Sequence, residues 1–159
     1  MTDEQTQLLQ ELDEARTTMR ALIVDLTPES EIYAGWTLRQ FLAHLTGWDD
    51  VTATTLRAHA RGETPATPVS AGIDAYNAES VATRETLDLA HIIKEWELAR
   101  TELKAAIRAL TPEQMAAPLL HPWGRVSTVG KLVNIMIHHE GVEHANELRA
   151  MKAKQAAAS

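Results

Sequence analysis

Apolar residues recur along two long stretches of this chain in alternating steps of four and three, a period that admits helices and little else. Leu8, Leu12, Ala15, Met19, Leu22 and Leu26 form the first seam. Leu89, Ile92, Trp96, Ala99, Leu103, Ala106 and Leu110 form another. A further helix runs through Phe41, Leu45, Trp48, Val51 and Leu56. It follows Thr37-Leu38-Arg39-Gln40, in which the hydroxyl and the amide have the spacing of a capping box. Val129, Leu132, Val133, Met136 and Ile137 open the last helical face. No segment alternates with the period of a strand.

The punctuation agrees with these seams. Thr2 or Asp3 can cap the first helix, Thr27-Pro28 ends it, and a linker from Glu29 to Gly35 follows. Arg61-Gly62 closes the second helix, because Gly permits a left-handed cap. A third stretch starts near Ala71, carries Ile73, Tyr76, Asn77 and Val81, and is expected to kink or break at Glu85-Thr86-Leu87-Asp88 before the second seam. Thr111-Pro112-Glu113-Gln114 predicts a short capped turn, and the last helix is expected from Ser127 or Thr128 to about Lys152. Leu26-Thr27-Pro28-Glu29 and Leu110-Thr111-Pro112-Glu113 each end a long helix, and each precedes a Trp, a capping Thr and a His-bearing helix. Two similar helix pairs make an all-α, four-helix bundle with a kinked or broken third helix, as one domain over residues 1–159.

Composition removes several functions. Cys is absent, so thiolate metal sites, disulfides and Cys nucleophiles are excluded. A net charge of −7 argues against nucleic acid as a partner. No apolar run approaches the ~20 residues that span a bilayer. The acidic start Met1-Thr2-Asp3-Glu4 lacks the order of a signal peptide, which makes the cytoplasm the expected location. The basic residues of Arg149 to Lys154 read as complements to a helix dipole.

The last helix holds the chemistry. Continuing the face of Val133 and Ile137 leads to Glu140, then to Glu143 or His144, and then to Leu148 and Met151. A carboxylate and an imidazole thus replace apolar side chains, which is costly unless something pairs with them. Glu140 and His144 lie four apart on one face. On a straight α-helix, at about 100° per residue, His139 points roughly 140° away from His144. The plain reading is an exposed local pair; its alignment with the apolar stripe argues against that. His44, set among Phe41, Leu45 and Trp48, can be a core imidazole, or it can meet Glu140 and His144 across two helices. Two imidazoles and a carboxylate suit Zn, Fe, Mn or Ni.

These residues carry a resemblance. Trp36-Thr37, Leu42-Ala43-His44-Leu45-Thr46-Gly47-Trp48, Ala75-Tyr76-Asn77 with Val81, His121-Pro122-Trp123-Gly124, and Thr128-Val129 with His139-Glu140 and Glu143-His144-Ala145 together resemble the DinB/YfiT-like superfamily. ClbS/DfsB-like members and the N-terminal domain of mycothiol-dependent maleylpyruvate isomerases are the comparisons within it. The resemblance implies a divalent metal held by one His of the second helix and an H-x-x-x-H pair of the fourth. His44 and His144 match the first and last ligands, but the residue four before His144 is Glu140. Either Glu140 replaces the imidazole, or an inserted residue beside Gly141 makes a π-bulge that swings His139 into line as the alternate ligand. The first solution is favoured because it needs no irregular helix. A third outcome is a chain that has lost the metal.

Three functions follow. The first is a metal-dependent transferase or hydrolase acting on a small molecule, with Glu140 and His144 catalytic and with Trp48, Tyr76, Asn77 and Trp96 lining the substrate site. Any thiol it uses must come from solution. The second, from the ClbS-like resemblance, is a metal-independent protective hydrolase or sequestering protein that disarms an electrophile, with Glu140 or Glu143 orienting water. The third is a non-enzymatic, stress-associated binding bundle. Helix-face pairing into a homodimer is expected throughout.

Overall fold

A computed structural model describes residues 1–33 and 35–159; Ala34, within the expected linker, lies outside the described residues. The seams fold as their period requires. Helix α1 spans Asp3–Ile23, α2 spans Leu38–Ala60 and α4 spans Leu89–Arg108. The fourth long element begins as α6 (Val129–His138), passes through a π-helical segment (His139–His144) and continues as α7 (Ala145–Ala158). Between them lie the short α3 (Ile73–Ala82) and α5 (Pro112–Ala116). Among the described residues no helix is long and apolar enough to cross a membrane.

Caps fix where the helices begin. Thr2, Thr37 and Thr111 each accept from the backbone N–H three residues on, while Gln5, Gln40 and Gln114 reach back to complete capping boxes. Thr128 and Asp88 cap α6 and α4. The third helical stretch is broken, as expected: α3 ends at Ala82, and Asp88 restarts the chain as α4. Helix α1 stops at Ile23, short of Thr27-Pro28, and the last helix runs beyond Lys152 to Ala158. The sequence gives no strand signal, yet two small antiparallel pairs form. β1 (Glu31–Tyr33) pairs with β2 (Trp36–Thr37), and β3 (Leu119–Leu120) pairs with β4 (Val126–Ser127). At two or three residues each, they are too short for side-chain alternation to mark them.

The core is layered along the bundle. At one end Leu8, Leu12, Leu56, Leu103, Ile107, Leu132 and Val133 pack together. At the other, Met19, Phe41, Leu42, Leu45, Ile92, Trp96, Ala145 and Leu148 do the same. Each Leu, Ile, Val, Met or Phe among them contributes about 1.5–3 kcal/mol by leaving water. Between the two layers every long helix places one buried charged residue: Arg16, Asp49, Arg100 and Glu140. Helix α3 docks on α2 at Gly47, where a Cβ would stand 2.2 Å from Ser80 Oγ. Tyr76 donates its hydroxyl proton to the Gly47 carbonyl at 2.6 Å across the same notch. That docking brings Asn77 to the bundle.

Candidate metal centre

Three imidazoles meet where α2 faces the π segment. His44 comes from α2, and His139 and His144 come from the two ends of the π segment. Their Nε2 atoms converge, with His44 to His144 at 3.1 Å and His139 to His144 at 2.7 Å. His44 and His144 are buried, and His139 is half-buried. Rings close around them: Trp36 stands edge-on to His44, Phe41 to His144, and Trp48 to His139.

The outer ring nitrogens fix the tautomers. Asn77 Oδ1 receives Trp48 Nε1–H at 2.8 Å and also faces His44 Nδ1 at 2.9 Å. Indole N–H can only donate, so the Asn77 atom is an acceptor and His44 Nδ1 must carry hydrogen. His144 Nδ1 likewise faces the Glu147 carboxylate at 2.7 Å. With its Nδ1 hydrogen so placed, a neutral His44 turns its Nε2 lone pair toward His139 and His144. An amide behind one imidazole and a carboxylate behind another make the second layer usual for a metal site.

Electrostatics keeps His44 and His139 in the ligand form. Burial pushes the His44 pKa down to about 4, aided by His144 and opposed by the bond to Asn77. Burial also pushes His139 down to about 3, with His144, His44 and His138 adding to it. Both are neutral near pH 7, as metal binding requires. The three ligand nitrogens lie within 4.8 Å of one another, so the cluster could hold a metal ion.

The middle position is taken by His139, correcting the expectation that Glu140 would occupy it. Five residues separate His139 from His144, which would set them about 140° apart on an α-helix. The π segment, with its i→i+5 hydrogen bonds, puts them on one face and turns Glu140 toward the bundle interior. There Arg16 Nη2 and Nε donate to Glu140 at 3.1 and 3.3 Å, Arg100 Nη2 at 2.8 Å and Trp96 Nε1 at 3.0 Å. Asp49 completes the group, accepting from Arg16 Nη2 at 3.0 Å and from Arg100 Nε at 2.9 Å. Burial alone would raise the Glu140 pKa; Arg100 and Arg16 outweigh it, and the value lies below the usual one. With both oxygens bonded to cations and an indole, Glu140 is not available as a catalytic base.

The predicted substrate residues separate. Trp48 and His139 line a cavity of about 700 Å³ with Trp123, Met136, Ile135 and Glu143. Asn77 lines a second cavity of about 480 Å³ with Trp36, Arg39 and Asp74. Tyr76 packs on Trp48 and anchors α3 to Gly47. Trp96 is 1% exposed, lies under the Arg16 guanidinium at 3.8 Å and belongs to the ionic layer, lining neither cavity. Sequence reasoning gave no site role to Trp123, Met136 or Glu147, and missed Arg16, Arg100 and Asp49 altogether. Arg16 and Arg100 carried a signal: each follows the alanine of a seam, Ala15 and Ala99, next to the buried stripe.

No curated protein matches this sequence. Among solved structures, that of mycothiol-dependent maleylpyruvate isomerase superposes with a TM-score of 0.75 at 16% identity, and that of a point mutant of the same enzyme with 0.74 at 16%. Each match covers 93% of this chain and 63% of the isomerase chain, so the protein spans somewhat under two thirds of those chains. At that identity the likeness establishes the fold. The sequence profile of the DinB superfamily matches residues 11–147. The chain belongs to the DinB superfamily.

Proposed function

We propose that the protein is a metal-dependent enzyme of the DinB type, a transferase or hydrolase acting on a small molecule with a thiol or water as co-reactant. The observation carrying this reading is the convergence of three imidazole nitrogens, His44 Nε2 at 3.1 Å and His139 Nε2 at 2.7 Å from His144 Nε2. His44, His139 and His144 would hold the ion, with Zn, Fe, Mn and Ni all compatible with a three-nitrogen set. A divalent cation there would supply Lewis acidity to lower the pKa of a thiol or a water.

The chain's own residues do the rest. Asn77 and Glu147 hold His44 and His144 with their Nε2 atoms inward. Trp48, Trp123 and Met136 give the adjoining cavity an apolar wall that shelters the body of a substrate from water. Because Cys is absent, a reacting thiol must arrive from solution, a feature in keeping with the thiol named for the isomerase. The metal-independent alternative falls to Glu143, on the cavity rim and 3.3 Å from His138, since Glu140 is engaged by two arginines. A cytoplasmic homodimer is the working assembly of this reading, and light scattering tests the pairing.

Elemental analysis after reloading with Zn²⁺ is expected to give one ion per chain, lost in His44→Ala and in His144→Ala while helical circular dichroism persists. Wild-type protein that retains no Zn²⁺, Fe²⁺, Mn²⁺ or Ni²⁺ after reloading would overturn the proposal.

A further inference from the structure

We infer that Glu140 is a positioning residue: its burial against Arg16 and Arg100 selects the π register that carries His139 to His144. The inference rests on the metal-site reading above but concerns a different group of residues. The sequence from 138 to 145 has two ways to wind. As a plain α-helix it sets Glu140 above His144, four residues away, and sends His139 off the face. Wound with i→i+5 bonds, it sets His139 above His144 and turns Glu140 to the interior. A π-turn is rare, so something outside the helix must favour it here.

Two independent contacts from α1 do so. Arg16 grips the Glu140 carboxylate through two nitrogens, while Arg100 of α4 holds the same carboxylate from another helix. One residue along, Gly141 presses on α1 so closely that a Cβ there would stand 2.8 Å from Ala15 Cβ. Ala15-Arg16 thus meets Glu140-Gly141 as a matched pair, small residue to small residue and cation to anion. In the α register Glu140 would leave the arginines, and two buried guanidiniums would share only Asp49. The ion quartet therefore opposes the register in which the metal site is incomplete.

The test compares Glu140→Gln with Asp49→Asn, which removes a charge from the same quartet without touching the π segment. Cobalt(II) alone is the probe, titrated into metal-free protein and read by its visible ligand-field bands and its affinity. Crystal structures of both variants report the register directly. Glu140→Gln is expected to lower cobalt affinity by at least about 10-fold, change the band pattern and show α winding across 139–144. Asp49→Asn should cost comparable thermal stability while keeping wild-type bands and the π-turn. Equal affinity and an intact π-turn in Glu140→Gln would overturn the inference, as would equal losses in both variants. If wild-type protein binds no cobalt, the metal reading fails, and the winding seen in the two crystal structures still decides the register. Should Glu140→Gln not fold, the crystal structure and cobalt bands of Arg16→Lys, which keeps the charge but loses the two-pronged grip, take its place in the comparison.

Discussion

The bundle buries two polar clusters side by side, and they differ in the chemistry of the groups brought together. In the quartet, two guanidiniums face two carboxylates, and the remaining N–H groups reach the Trp96 and Leu12 carbonyls at 2.9 and 2.8 Å. Charge is balanced and partners are complementary. In the histidine cluster three imidazoles of like chemistry crowd their Nε2 atoms together, and His139 among them opens on a cavity. Burial alone does not separate structure from function, since both clusters contain side chains only a few per cent exposed. Chemistry does: opposite charges pair among themselves and complete the fold, whereas converging imidazole nitrogens form a set that a metal ion would fit.

The sharpest way to break this contrast is to unbalance the quartet. Arg100→Leu leaves Asp49 and Glu140 sharing one cation, and should cost about 3–5 kcal/mol in urea unfolding. A loss under about 1 kcal/mol would mean that the quartet is not the matched element described here. A smaller effect is expected from Glu147→Gln, which exchanges the acid behind His144 for an amide. Metal affinity should fall by about 10–100-fold with little change in the melting of metal-free protein. A variant that instead melts early and binds normally would reverse the assignment.

The smallest effect per side chain is a pH dependence confined to the histidine cluster. In metal-free protein the His44 and His139 pKa values are depressed to about 4 and about 3, against about 6.5 unfolded. Between those values the unfolded chain binds protons that the folded chain refuses, so stability falls as pH drops below about 6.5 and stops falling once the folded rings titrate. By pH 5 the loss should be on the order of 1–2 kcal/mol per ring. Urea midpoints at pH 7.5 and pH 5 measure it, and the loss should shrink in His44→Ala. An unchanged pH dependence in that variant would show that these rings are not buried neutral.

The sequence made the helices legible because each seam keeps its period for five or more turns and each start carries its own cap. His44 and His144 were legible as imidazoles set in apolar faces. His139 was legible only as the alternative, since spacing read on a straight helix sends it outward. What decides the winding is a contact between Glu140-Gly141 and Ala15-Arg16, more than a hundred residues apart. Local propensity holds no trace of such a contact. Trp123 was quoted as part of a motif, but its cavity exists only once the β3–β4 pair has brought it back against Trp48 and Met136.

One charged residue per helix, set midway between two hydrocarbon zones, also governs how the rods align. Slide any of the four by a turn and its ion meets aliphatic carbon while its counter-ion is left in oil. A single lengthwise alignment survives that penalty. The connecting segments are thereby relieved of measuring out the bundle, and inserts within them should leave the imidazole trio in place.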